Sequence, residues 1–394
     1  MTPASVGVAR GILRNASALF LVGLFAKGAG LIIAILIARF LGADAMGLFA
    51  MLFSIAILLE TFISLGLSDS LVRDVAARPA EAGSLYFSAL RLVTRASLLP
   101  AIALAAAAWL IADPGPARAS LLVIAAGAPV SGAFVVSQAA LQGREQVVFL
   151  TWVTFVSRLV SLLALAAALY VGSGIEAAFA SRLLFEALAV VAFVARLRRE
   201  LPAAGERHGA ARLLKRSAPF AISLAARDVA IRLPSFVLPA TLGFGAAGLF
   251  DSANRIRSTL GMTMSASIVG LMPSFARSLG GSSPESGRLV AYSAKYMCLG
   301  MSAIATVIAL LSHWIIAVFF GAEFAGAAEP LQVLAWAQVL VATDAVLQQA
   351  LLATGAAFTA IRHTAFGLAA QLALLLALVG PLGLPGAALA VLLA

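Results

Sequence analysis

Charge and thiols are what this chain has least of. Only 11% of its 394 residues are Asp, Glu, Lys or Arg, against about 25% in a soluble domain. With 62% hydrophobic residues, both an ordinary globular protein and a disordered chain are excluded. A single cysteine, Cys298, rules out a disulfide framework or a Cys-based metal site. Three scattered histidines, His208, His313 and His363, form no His-Glu-x-x-His pattern. No metal and no cofactor is expected. Long polar loops are also missing, so a membrane enzyme with catalytic carboxylates beside a large extramembrane region has nowhere to build its site.

Long apolar runs fill the space instead. Runs able to cross a bilayer fall near 15–38, 45–66, 84–111, 118–140, 148–171, 175–195, 216–241, 246–272, 289–320, 328–352 and 361–381. The first is too long for a signal-peptide core and reads as a span. A twelfth run begins near Leu384 and stops at Ala394. As helix it reaches about 15 Å, half a bilayer, and is expected to be a truncated span.

The net charge of +10 is distributed unevenly. One set of alternate loops carries Arg10, Arg14, Arg73, Arg78, Arg144, Arg196, Arg198, Arg199, Arg207, Arg212, Lys215, Arg216, Arg277, Arg288 and Arg362. The other set carries Arg39 and Arg118 among several acids. Basic residues stay cytoplasmic, so the N-terminus is expected inside. The basic stretch 196–216 reads as a topology determinant near anionic headgroups. Without interleaved aromatics it is a poor nucleic-acid surface, and no nucleic-acid partner is expected.

The chain resembles itself. Leu41-Gly-Ala-Asp-Ala-Met-Gly-Leu-Phe49 aligns with Leu242-Gly-Phe-Gly-Ala-Ala-Gly-Leu-Phe250. Gln138-Ala-Ala-Leu-Gln-Gly143 resembles Gln349-Ala-Leu-Leu-Ala-Thr-Gly355, and Glu176-Ala-Ala-Phe-Ala180 resembles Gly386-Ala-Ala-Leu-Ala390. Each repeat then holds six spans, and an even number gives both halves one orientation. The expected fold is an all-α polytopic membrane protein of two parallel six-helix lobes around a central cavity. The lobes are 1–195 and 217–394, joined by a cytoplasmic linker, 196–216. Gly243-Phe-Gly-Ala-Ala-Gly248 imitates a dinucleotide fingerprint, but no strand precedes it and no acid follows at the right distance. Its glycines are expected to make a tight turn and a close helix approach.

Charge inside the spans is where function is expected. A central Arg, Lys or Asp costs about 2.5–3.5 kcal/mol to insert. Lys27 lies on span one, Glu60 on span two, Arg158 on span five, Arg182 and Glu186 on span six. Span seven carries Arg227, Asp228 and Arg232, span eight Asp251, Arg255 and Arg257, and span ten Asp344. Asp228–Arg232, Asp251–Arg255 and Arg182–Glu186 have i,i+4 spacing suited to ion pairs. Lys27, Arg227 and Arg257 have no acid at such a spacing. The reading is a cationic aqueous cavity lined by Lys27, Arg227, Arg232, Arg255 and Arg257. Asp228 and Asp251 support them. Glu60 and Asp344 are isolated acids, suited to a coupling H⁺ or Na⁺. Positive walls focus an anionic ligand, and the arginine fork suits phosphate.

Asn15…Ala38-Arg-Phe-Leu-Gly42…Gly47-Leu-Phe49, then Leu65-Gly-Leu…Leu71-Val-Arg-Asp74, resembles the opening of polysaccharide flippases. Pro219-Phe, Ala247-Gly-Leu-Phe…Ala253-Asn-Arg-Ile256 and Met272-Pro-Ser-Phe-Ala-Arg277 extend the likeness over nearly the whole chain. The chain is thus similar to O-antigen (Wzx-type) flippases of the multidrug/oligosaccharidyl-lipid/polysaccharide exporter superfamily. That resemblance implies a MATE-like fold whose cavity is lined by spans one, two, seven and eight. It implies translocation of a polyprenyl-pyrophosphate-linked oligosaccharide across the bacterial inner membrane, with a polysaccharide polymerase and a chain-length regulator as partners. Under it, Lys27, Arg227, Arg255 and Arg257 hold the pyrophosphate. A multidrug/cation antiporter or a lipid II flippase of the same superfamily is the alternative.

Overall fold

The computed structural model describes the backbone of residues 3–64, 66–111, 113–201, 210–279, 284–353 and 357–394. Side chains are described over 28–64, 66–110, 113–201, 225–259, 261, 287–348, 350, 359 and 362–394. Among the described residues every regular element is helical. In chain order these are α1 (Pro3–Ser64), α2 (Leu67–Ala77), α3 (Ala82–Ile111), α4 (Pro116–Gly143), α5 (Val147–Tyr170), α6 (Glu176–Glu200), α7 (Ala210–Leu279), α8 (Pro284–Phe319), α9 (Ala328–Ala353) and α10 (Ala357–Leu393). Among the described residues, nine helical stretches are long and apolar enough to cross a bilayer. Their surfaces reverse the soluble pattern: Leu110 is 85% exposed and Leu310 78%. Apolar surface of that extent is tolerated where lipid, not water, is the solvent. The protein is a multi-pass membrane protein.

Three helices hide a bend. Backbone torsions leave the helical region at Gly42 (φ 80°) in α1, Gly243 (φ 88°) in α7 and Gly383 (φ 61°) in α10. Each glycine follows a leucine. The apolar runs place short loops at these points, and the structure reduces each loop to one residue. Positive φ crowds a Cβ against the next carbonyl, so glycine is the residue that makes this turn without strain. Splitting α1, α7 and α10 at their bends restores the twelve runs.

The runs miss one element. α2 lies where the sequence suggests a loop between spans two and three. Gly66 opens it in a left-handed conformation (φ 67°), and Leu67, Leu71 and Val75 bury one face against α3 and α4. Its polar edge holds an Asp74–Arg78 ion pair at 3.0 Å. Eleven residues are too short and too polar for a search built on bilayer-length apolar runs.

Contacts divide the chain into two compact units, 1–33 with 52–228 and 34–51 with 229–394. These boundaries fall inside α1 and α7, whereas the repeat boundary falls at 196–216, of which 202–209 lie outside the described residues. The first unit is cored by α2, α3, α4 and α6. Tyr86 is fully buried and its hydroxyl meets Ser137 Oγ at 3.0 Å. Phe134 sits between Phe185 and Phe193, with ring centroids 5.3 and 6.0 Å away.

In the second unit the two repeat motifs meet each other. A Cβ on Gly47 would stand 1.9 Å from the Phe244 carbonyl oxygen, and one on Gly248 2.0 Å from that of Ala43. No side chain fits there, so the segments of α1 and α7 touch backbone to backbone. The dinucleotide-like string is therefore structural: Gly243 bends the helix and Gly248 lets its neighbour approach. Beside this seam, Arg39 Nε donates to the Phe319 carbonyl at 3.1 Å, and Arg39 Nη2 donates to that of Val318. That places a cation at the C-terminal end of α8, where the helix dipole favours it. The Ala43 N–H donates to Glu323 Oε1 at 3.1 Å, putting an acid where the helix restarts after Gly42.

Candidate functional site

The charged residues of α7 beyond its bend are handled in two different ways. Arg255 Nε donates to Asp251 Oδ2 at 2.7 Å, the i,i+4 pair that the spacing suggests. Both side chains are largely buried, and the Arg255 guanidinium lies 5.1 Å from the centre of the Phe49 ring. Arg257, two residues on, has no acid partner among the described residues. Its Nε donates to Asn254 Oδ1 at 2.8 Å and its Nη1 to Gln338 Oε1 at 3.2 Å. Gln338 comes from α9 and is 4% exposed.

A second polar cluster sits inside the first unit. Arg182 on α6 bridges two carboxylates: Nε contacts Glu186 Oε1 at 2.7 Å, and Nη2 contacts Glu60 on α1. Glu186 is nearly fully buried and its other oxygen accepts from Ser131 on α4. These groups line a small cavity of about 20 Å³ whose other walls include Leu59, Ile63, Ile124, Phe179 and Leu183. Arg158 on α5 lies 3.7 Å over the Phe185 ring. Among the described residues its Nε is buried without a hydrogen-bond partner, and so is Thr154 Oγ1 one turn earlier. Burying four charges in one helical packet is costly, and it is tolerated because most of their lone pairs and protons are matched.

The remaining expected residues are spread out. The Lys27 side chain lies outside the described residues. Arg227 is exposed and Arg232 half-buried. Asp228 takes a hydrogen bond from Thr61 at 2.6 Å, joining α7 to α1 within the first unit, and makes no ion pair with Arg232 among the described residues. Asp344 accepts from Gln348 at 2.6 Å and lies 3.9 Å from His363. Glu60, isolated by sequence spacing, gains its partner from a distant helix. Charge-based reading missed Ser131, Thr61, Asn254 and Gln338. They are neutral, and no spacing rule connects α9 to α7.

The family model described as "Polysaccharide biosynthesis protein" matches residues 12–279. Among solved structures, an inward-facing multidrug resistance MATE family transporter of the MOP superfamily is similar with a TM-score of 0.75 at 18% identity, covering 94% of this chain and 90% of that one. The lipid II flippase MurJ, in an inward closed conformation, is similar with a TM-score of 0.77 at 13% identity, covering 95% and 84%. A MOP superfamily transporter from Pyrococcus furiosus, described as having a reversed polarity of its binding pocket, gives 0.71 at 18% identity, covering 97% and 91%. No curated protein sequence matches the chain. The fold is that of the MOP-superfamily transporters and flippases, and the chain belongs to the polysaccharide biosynthesis protein family.

Proposed function

We propose that this protein flips a polyprenyl-pyrophosphate-linked oligosaccharide from the inner to the outer leaflet of the bacterial inner membrane, with its N-terminus cytoplasmic. The observation that carries this reading is the state of the span charges in a chain of this family. Described acids in the spans other than Asp344 are engaged: Glu60 and Glu186 by Arg182, Asp251 by Arg255, Asp228 by Thr61. Arg257 has no acid partner among the described residues. A cation antiporter needs acids available to its substrate, and this distribution suits an anion instead. The lipid tail stays in the bilayer. The pyrophosphate and sugars pass along a polar route that shields them from hydrocarbon, and rocking of the repeats gives alternating access. Lys27, Arg227, Arg232, Arg255 and Arg257 supply the positive potential. Glu60 and Asp344 are the candidates for H⁺ or Na⁺ coupling. A polysaccharide polymerase and a chain-length regulator act on the product.

The test is export in a flippase-deleted strain that makes a matched lipid-linked glycan. Surface polysaccharide returns when this protein is supplied, and fails to return with the Arg255→Gln/Arg257→Gln double variant inserted at a normal level. An inserted wild-type chain that restores nothing, with its native glycan present, excludes this function.

A further inference from the structure

Arg255 and Arg257 look alike in sequence, yet the structure treats them as different objects. A carboxylate neutralises Arg255. Two amide oxygens hold Arg257. An amide oxygen accepts a hydrogen bond and fixes direction, but it carries no net charge. The guanidinium has five N–H groups, and these two contacts use two of them. Because Arg only donates, the Gln338 oxygen must face Arg257, so the amide orientation is determined. Gln338 itself is buried on α9. Gly261, one turn past Arg257 on α7, leaves it room: a Cβ there would stand 3.1 Å from the Gln338 amide nitrogen. Two neutral acceptors thus fix the direction of a cation that no acid neutralises among the described residues.

We propose that Gln338 is a positioning residue that holds Arg257 as the charged hook for the substrate pyrophosphate, while Arg255 is a self-neutralised structural partner of Asp251. This rests on the flippase reading above. It separates two arginines which that reading groups together, and it adds a neutral residue from α9.

The decisive variant is Gln338→Glu, which keeps the shape and places a carboxylate on Arg257. The purified full-length protein should unfold at the wild-type temperature or above, because a buried Arg gains an acid. Its affinity for farnesyl pyrophosphate in detergent should fall about tenfold or more, the factor equivalent to 1.4 kcal/mol, and glycan export should fall with it. Gln338→Met removes the acceptor but leaves the charge, and should lose less, about threefold, one weak hydrogen bond's worth. Gly300→Ala, on α8 with open space around it, should bind within about twofold of wild type. Farnesol, which lacks the anion, should not compete. Wild-type affinity in a folded Gln338→Glu protein overturns the proposal and leaves the flippase reading standing. If Gln338→Glu fails to fold, Arg257→Gln carries the same test, and undiminished binding by it overturns the proposal. Wild-type protein that binds neither farnesyl pyrophosphate nor the native lipid-linked glycan overturns both.

Discussion

At the scale of single residues, a charge in this protein is defined by what faces it. Arg182 serves Glu60 and Glu186 together, so its loss strands two carboxylates inside a helical packet. Arg182→Met should destabilise the protein by about 3–5 kcal/mol, the range for removing one partner of a buried pair. The triple change Arg182→Met, Glu60→Gln and Glu186→Gln should recover most of that loss, since no carboxylate is left stranded. Thermal unfolding in detergent reads both, and a triple variant no more stable than the single one would show that the cluster is not a self-contained ion network. Part of this was readable beforehand. Arg182–Glu186 and Asp251–Arg255 obey a local spacing and form. Asp228–Arg232 obeys the same spacing, but Asp228 turns to Thr61. Local spacing lists the neighbours a helix can offer, while tertiary packing selects among them. Glu60 to Arg182 and Arg257 to Gln338 span separate helices, and nothing in a single sequence announces them.

At the scale of elements, glycines act for two separable reasons. Gly243 has φ 88° with nothing within 4 Å of a built Cβ, so Gly243→Ala should cost only backbone strain, about 1–2 kcal/mol. Gly248 is helical and would drive its Cβ against the Ala43 carbonyl, so Gly248→Ala should cost more and force α1 and α7 apart. Gly300 on α8 has open space, and Gly300→Ala should stay within about 1 kcal/mol of wild type. Unfolding temperatures in that order support the assignment, and a tolerated Gly248→Ala contradicts it. The helical runs themselves were legible because a bilayer demands about twenty apolar residues per crossing. Loop positions were less so: a hydropathy window cannot distinguish several loop residues from a single glycine bend. The paired Leu-Gly motifs carried that information, since a repeat that recurs at a turn reports a shared backbone need.

At the scale of the whole molecule, the membrane sets the arrangement of charge. α3 separates the Pro79–Glu81 turn from Asp113, and the proposed topology puts the basic loops on the Pro79 side. With Cys298 replaced by Ala, Asp113→Cys should react with an impermeant maleimide in intact cells, while Ala80→Cys should react only after permeabilisation. The opposite result reverses the proposed orientation. The seam at Gly47 and Gly248 has its own significance here. Its Gly47–Phe244 and Gly248–Ala43 contacts are made by peptide groups, which hold nothing to titrate, oxidise or phosphorylate. Its strength should therefore be indifferent to acidity and redox poise and respond mainly to heat and to lateral pressure from the lipids. Solution chemistry reaches it through its flanks, where the Asp44 carboxylate stands beside Gly245, Arg39 grips the end of α8 and Glu323 the restart of α1. High salt, which weakens exposed charge contacts, is thus a way to loosen the flanks while leaving the seam itself untouched.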